Sequence, residues 1–211
     1  EREKAAHQFG VLSVNENGRI IDFEEKPKDP KTISGEDNKA LVSMGIYVVS
    51  QKYLSSMLRD DAVSERSNHD FGKDIIPEGL RRGDHFHAHM FRNPTNDDPP
   101  YWRDVGTVDS YYAANMELLE PEPPLNLYDK AWPIATYQRQ LPPAFIKPGK
   151  DDSNIQSSII GSACVIENSE IRRSVIFSEV RVGSGCKISG VLALGGCRIG
   201  ANCHLQNVIL D

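Results

Sequence analysis

Three stretches in the last third of the chain repeat one phrase. Ile160-Gly-Ser-Ala-Cys-Val-Ile166, Val182-Gly-Ser-Gly-Cys-Lys-Ile188 and Ile199-Gly-Ala-Asn-Cys-His-Leu205 each run aliphatic, Gly, small, any residue, Cys, any residue, aliphatic. A second phrase interleaves with it: Ser174-Val-Ile176, Gly190-Val-Leu192 and Asn207-Val-Ile209 recur at intervals of 16 and 17 residues, close to three hexapeptides. Such a period leaves little choice of fold. Short strands form flat faces, aliphatic side chains stack inward and small residues turn the corners, which predicts a left-handed parallel β-helix of hexapeptide repeats. Each coil buries its apolar side chains only against its neighbours, so about three coils are the least that is stable.

The four cysteines fall in or beside this pattern. Cys164, Cys186 and Cys203 hold the same place in the three phrases and Cys197 lies nearby, as expected of small apolar side chains stacked in an interior column. The alternatives are zinc and disulfide pairing; the chain has no C-x₂-C pair to favour zinc.

Residues 121–157 contain seven of the 13 prolines, which makes them a connector without long helices. Because it also carries Leu125, Leu127, Tyr128, Trp132, Ile134 and Tyr137, it is expected to pack down. Residues 1–120 mix both kinds of element. Phe9–Val14 and Arg19–Phe23 read as strands around an Asn-Gly turn, Leu41–Val49 as a buried strand and His85–Phe91 as another. Lys52–Arg59, Asp70–Leu80 and Val108–Leu119 read as helices, which gives an α/β layer with too few strands for a full doubly wound sheet. The expected division is therefore 1–120, 121–157 and 158–211.

Composition excludes some classes of function. Lys and Arg total 24 against 30 Asp and Glu, a net charge of −6 without any basic run, so no nucleic-acid surface is expected. No apolar run approaches the roughly 18 residues of a membrane span, and Glu1-Arg-Glu-Lys4 lacks a signal peptide's apolar core; a cytoplasmic protein is expected. The chain starts without Met and stops inside a repeat, as a piece of a longer polypeptide would.

Two places are candidates for chemistry. Glu24-Glu-Lys-Pro27 ends a predicted strand, where Lys26 can meet a phosphate and Glu25 can accept sugar hydroxyls; a solvated turn is the alternative. In Tyr101-Trp-Arg-Asp-Val-Gly-Thr107, Asp104, two aromatic residues and a helix start converge. That suits a hydrated Mg²⁺ with phosphates, or else a plain helix cap. His85, His87 and His89 alternate on one strand face; without a nearby partner, an exposed face accounts for them better than a metal site.

Phe9-Gly-Val, Phe23-Glu-Glu-Lys-Pro27, Ser43-Met-Gly-Ile-Tyr47, His69-Asp-Phe-Gly-Lys-Asp-Ile-Ile-Pro77, Tyr101-Trp-Arg-Asp-Val-Gly-Thr107 and Trp132-Pro-Ile134 follow in this order ahead of the β-helix. Together they resemble the bacterial glucose-1-phosphate adenylyltransferases over nearly the whole chain. E-K-P and D-x-G-T are shared across the sugar-nucleotidyltransferase superfamily, whereas the Ser43, Asp70 and Tyr101 phrases point to the adenylyltransferases themselves. The resemblance implies a partial Rossmann-like nucleotidyltransferase domain before the β-helix. It also implies an enzyme that converts ATP and α-D-glucose 1-phosphate to ADP-glucose and diphosphate for glycogen synthesis.

By the same resemblance Lys26 holds the sugar phosphate, Glu25 the glucose hydroxyls, and Gly10 brings backbone close to the sugar. Ser43 and Tyr47 line the glucose pocket, Asp70, Phe71 and Trp102 shape it, and Asp104 ligates Mg²⁺. A homotetramer regulated by sugar-phosphate or nucleotide effectors is implied as well. The family's G-G-x-G-x-R-L loop and a further catalytic Asp do not occur here, so the chain is expected to be the sugar-side half, inactive by itself. Phe145 stands after Pro-Pro-Ala where relatives commonly carry Lys, which leaves Lys147 as the substitute for any regulatory phosphate contact. Three competing readings are another sugar-1-phosphate nucleotidyltransferase, a non-catalytic regulatory subunit, which has no physical need of Glu25, Lys26 and Asp104, and a β-helix acyltransferase, for which His204 is weak support.

Overall fold

A computed structural model describes residues 8–33, 35, 38–93, 100–148 and 153–211. The chain forms two compact units, Glu1–Phe91 and Arg92–Asp211.

In the first unit, β1 (Gly10–Val14) and β2 (Ile20–Glu25) run antiparallel, with Gly10 opposite Glu25 and Leu12 opposite Phe23. The turn between them is held by Asn15, whose side-chain oxygen accepts from the N–H groups of Asn17 and Arg19. Gly18 supplies the left-handed backbone there at φ +75°. A short β3 (Leu41–Val42) pairs with the other side of β1. Helix α1 (Gln51–Ala62), a π-helical turn at Phe71–Ile75 and helix α2 (Ile76–Arg81) complete the unit. Val11, Phe23, Met57, Ile75 and Ile76 are its buried apolar residues. Arg82 ties the helices by pairing with Asp60 at 2.8 Å and Glu78 at 2.7 Å.

Two predicted strands are shorter than expected. After Val42 the chain bends at Gly45, φ +70°, and Ile46 and Val48 are exposed, so Leu41–Val49 does not continue as a buried strand. Within His85–Phe91 only a bridge between His87 and Arg19 forms, although His85, His87 and His89 are exposed and alternate with the more buried Phe86 and Ala88.

The second unit is built around parallel coils: β4 (Phe145–Lys147), β5 (Asn154–Gln156), β6 (Ile159–Ile160), β7 (Val165–Glu167), β8 (Glu170–Arg172), β9 (Val175–Ile176), β10 (Arg181–Val182), β11 (Lys187–Ala193), β12 (Arg198–Ile199) and β13 (His204–Leu210). Every strand pair is parallel, which stacks three interior columns: Ile146-Ile166-Val182-Ile199, Ile155-Ile171-Ile188-Leu205 and Ile160-Ile176-Ala193-Leu210. Ile166, Ile171 and Ile176 are fully buried, each worth about 1.5–3 kcal/mol of transfer free energy. The corners recur every five or six residues as left-handed backbone at Ser157, Ala163, Asn168, Arg173, Glu179, Gly185, Gly190, Gly196, Asn202 and Asn207. The hexapeptide period is therefore a period of positive φ, and glycine meets it at only some corners.

The ladder starts at Phe145, upstream of residue 158, so part of the proline-rich stretch belongs to the coils. Between Leu118 and Ala144 no helix or strand forms, and Tyr128 and Tyr137 are 82% and 87% exposed, so that segment is not packed down as its aromatic content implied. The cysteines are all free thiols. Register puts Cys186 beside Cys203, as expected. Cys164 is in another column, because Val182 stacks on Ile166 and not on Ile160. Its buried thiol donates to the Phe177 carbonyl at 2.9 Å, and burial pushes its pKa up.

Two buried serines complete the coils: Ser174 Oγ donates to the Arg172 carbonyl and accepts from Val191 N–H, while Ser169 Oγ accepts from Cys186 N–H. Helix α3 (Val108–Glu117) lies on this surface, with Met116 packed on Val175 and Leu192 and the Tyr112 hydroxyl donating to Gly190 O at 2.7 Å.

Candidate functional site

The first unit gathers seven of the predicted residues at one end of its sheet. Gly10 opens β1 directly opposite Glu25, which closes β2. Lys26 then turns the chain at φ +51°, its N–H donating to Phe9 O at 3.0 Å. The Lys26 ammonium stands 4.0 Å from Glu25 Oε1; the lysine side chain is 55% exposed and the glutamate 19%, so an exposed cation sits beside a largely buried carboxylate.

The neighbouring wall is tied to the same strand end. Ser43 N–H donates to Gly10 O at 2.8 Å, and Ser43 Oγ accepts from Gly45 N–H and shares a hydrogen bond with Tyr47 Oη at 3.1 Å. The Tyr47 ring stacks on Phe71, centroids 5.6 Å apart and planes 12° from parallel. Phe71 begins the π-helical turn, which Asp70 caps by accepting from Gly72 N–H at 2.8 Å and Lys73 N–H at 2.9 Å. Asp74 fixes the approach, accepting from the N–H groups of Asn68 and Asp70. His69 enters in the left-handed region at φ +57°. Its Nδ1 lies 2.7 Å from Asp61, which also accepts from Ser67 Oγ. The Ser67 hydrogen bond, then that of His69, holds the Asp61 carboxyl below its usual range.

Trp102 and Asp104 belong to the second unit. Asp104 is exposed, and its Oδ1 accepts from Gly106 N–H at 3.2 Å. Thr107 then caps α3 in a reciprocal capping box with Ser110. The preceding chain is anchored by Arg103, which pairs with Glu117 at 3.0 Å and lies over the Tyr101 ring. Asp104 is thus a hard oxygen donor with lone pairs to spare. Among the described residues no three His, Cys, Asp or Glu side chains converge as a metal-binding group. Lys147 is paired with Glu167 at 2.5 Å.

Sequence reasoning missed Gly72 and the Asp61–Ser67–His69 network. Gly72 was in view inside the Asp70 phrase, but its partner is Glu25, remote in sequence, and only folding brings them together. Chemically, the first unit presents a cation beside a carboxylate, with hydroxyl groups and stacked aromatic rings next to them. That set matches a phosphorylated polyol: charge for the phosphate, acceptors for hydroxyls and an aromatic surface for C–H groups.

Comparison with known proteins finds two families in turn along the chain. Residues 1–121 match the family of nucleotidyl transferases, and residues 142–211 match the GlmU-like C-terminal hexapeptide family. The chain is 46% identical over 211 residues to the glucose-1-phosphate adenylyltransferase of Shewanella frigidimarina, covering 99% of this chain and 50% of that protein. It is 47% identical to that of Paraburkholderia phytofirmans, covering 96% of this chain and 50% of the relative. The chain belongs to the nucleotidyl transferase family and carries a hexapeptide-repeat region after it. It spans about half the length of the curated relatives it matches. Enzymes of this family commonly use divalent metal ions. Among the described residues no helix is long and apolar enough to cross a membrane.

Proposed function

We propose that this chain carries the sugar-phosphate side of a glucose-1-phosphate adenylyltransferase, an enzyme that makes ADP-glucose and diphosphate from ATP and α-D-glucose 1-phosphate for glycogen synthesis. The observation that carries the reading is the exposed Lys26 next to the largely buried Glu25 beside the Ser43–Tyr47–Phe71 wall, in a chain whose relatives bear that name.

In this reading Lys26 takes the phosphate as a point charge and Glu25 accepts from glucose hydroxyls. Gly10 lets the backbone approach the sugar, Ser43 and Tyr47 line the pocket, and Asp70 holds the turn that presents Phe71. A phosphate oxygen of the sugar ester attacks the α-phosphorus of ATP and diphosphate leaves, so the protein's contribution is alignment and charge. Asp104 is the residue of this chain that would hold Mg²⁺; a single free carboxylate fits an ion that keeps several waters and takes phosphate ligands. When bound, that ion neutralises phosphate charge. ATP is met mainly by residues outside this chain. Residues 1–120 serve the substrates, the coils from Phe145 onward serve assembly into a cytoplasmic homotetramer regulated by sugar-phosphate or nucleotide effectors, and the proline-rich stretch before them joins the two.

The test uses the longer enzyme containing this chain, assayed with glucose 1-phosphate and each nucleoside triphosphate. ADP-glucose should be the main product; a preference for UTP or dTTP contradicts the adenylyl reading. Asp104→Asn should lower kcat by about a hundredfold or more. Turnover near that of the parent removes Asp104 from the metal site.

A further inference from the structure

The geometry points to Gly72 as a positioning residue for the sugar: by leaving out a side chain it sets where the Glu25 carboxylate stands. This deepens the functional reading above and rests on it. A Cβ placed on Gly72 would lie 2.5 Å from Glu25 Oε2, 2.9 Å from Cδ and 3.3 Å from Cγ. A Cβ on Gly10 would lie 2.8 Å from the same Oε2. Backbone of β1 and backbone of the π-helical turn therefore both close on one carboxylate, and each can do so only because it is glycine. No residue other than glycine leaves the carboxylate in this position.

The two glycines differ in what a methyl group would disturb. At Gly10 the nearest atom is Phe23 Cζ at 2.4 Å, on a ring only 8% exposed, so a methyl there strikes the core. At Gly72 the three nearest atoms all belong to the Glu25 side chain. Gly72 also lies outside the left-handed backbone region, so alanine can adopt its conformation. The turn itself is held by Asp70 and Asp74, as described above. With the turn fixed, the flexible end of Glu25 is what must move. Gly72→Ala is thus a lever on the carboxylate, whereas Gly10→Ala tests the core.

The experiment compares the longer enzyme in four forms: parent, Gly72→Ala, Glu25→Asp and the double variant. KM for glucose 1-phosphate and for ATP is measured for each, with the thermal midpoint. Gly72→Ala should raise KM for glucose 1-phosphate about tenfold, the loss of one good hydrogen bond, while KM for ATP stays within about twofold. In the Glu25→Asp background, where the side chain is one methylene shorter and vacates the space, adding Gly72→Ala should change KM by less than about twofold. Equal fold-changes in both backgrounds, or equal rises for both substrates, overturn the inference. Should Gly72→Ala fail to fold, the double variant decides: recovery of folded protein identifies Glu25 as the colliding group, and failure of both overturns it. A Glu25→Asp variant with unchanged KM for glucose 1-phosphate removes Glu25 from the sugar site and sinks the functional reading. A Glu25→Asp effect without any Gly72→Ala effect sinks this inference alone.

Discussion

Tyr53 shows how a single contact makes part of the first unit's stability depend on pH. Its hydroxyl donates to Asp84 at 2.7 Å, and its ring meets Phe86 edge-on, joining α1 to the segment after α2. Burial, then the Asp84 hydrogen bond and charge, push its pKa from 10.0 up to about 12. The folded state keeps this proton after the unfolded state has lost it. The contribution is therefore complete below pH 10, shrinks as pH rises above it, and is gone beyond about pH 12. Tyr53→Phe should flatten the fall in stability across that window, and the phenolate absorbance lost between the parent and Tyr53→Phe should titrate near 12; a difference titrating near 10 contradicts this contact. At the same scale, the placement of Glu25 and Lys26 side by side at the end of β2 was legible because a strand-ending E-K-P carries its charges in adjacent positions. Gly72 and Asp61 were not, since one works by lacking atoms and the other through a loop closure that periodicity does not encode.

The coils were legible as elements because their constraint is local and repeated: an inward aliphatic every few residues and a left-handed corner between strands. Their phase was harder to read. The phrases beginning at Ile160 and Val182 look identical, yet Ile160 stacks on Ile176 while Val182 stacks on Ile166, because each face of a coil uses the same wording. Glycine after the aliphatic residue has a specific purpose. A Cβ on Gly183 would lie 2.8 Å from the backbone nitrogen of Ala201 in the next coil, and backbone cannot swing aside as a side chain can. Gly183→Ala should cost about 1–3 kcal/mol in urea unfolding, and a neutral effect would mean the coils stack less tightly than this register requires. The strand predicted over Leu41–Val49 failed for the opposite reason. Its apolar run satisfied the pattern, but Gly45 bends the chain and Ser43 bonds Tyr47 across the bend, which spends the segment on the site wall instead of the sheet.

For the molecule as a whole, sequence separated a mixed α/β part from a coil part because their hydrophobic periods differ. It did not show that α3 shares a compact unit with the coils, since that depends on Tyr112 reaching the Gly190 carbonyl. The account's central claim is that the end of β2 in the first unit binds the sugar phosphate, and Lys26 is the residue on which it turns. The most direct measurement is the effect of Lys26→Ala on the two Michaelis constants of the longer enzyme. KM for glucose 1-phosphate should rise by about tenfold to a hundredfold, the worth of a charged hydrogen bond, with KM for ATP within about twofold of the parent. Equal rises for both substrates, or no rise for glucose 1-phosphate, would contradict the assignment.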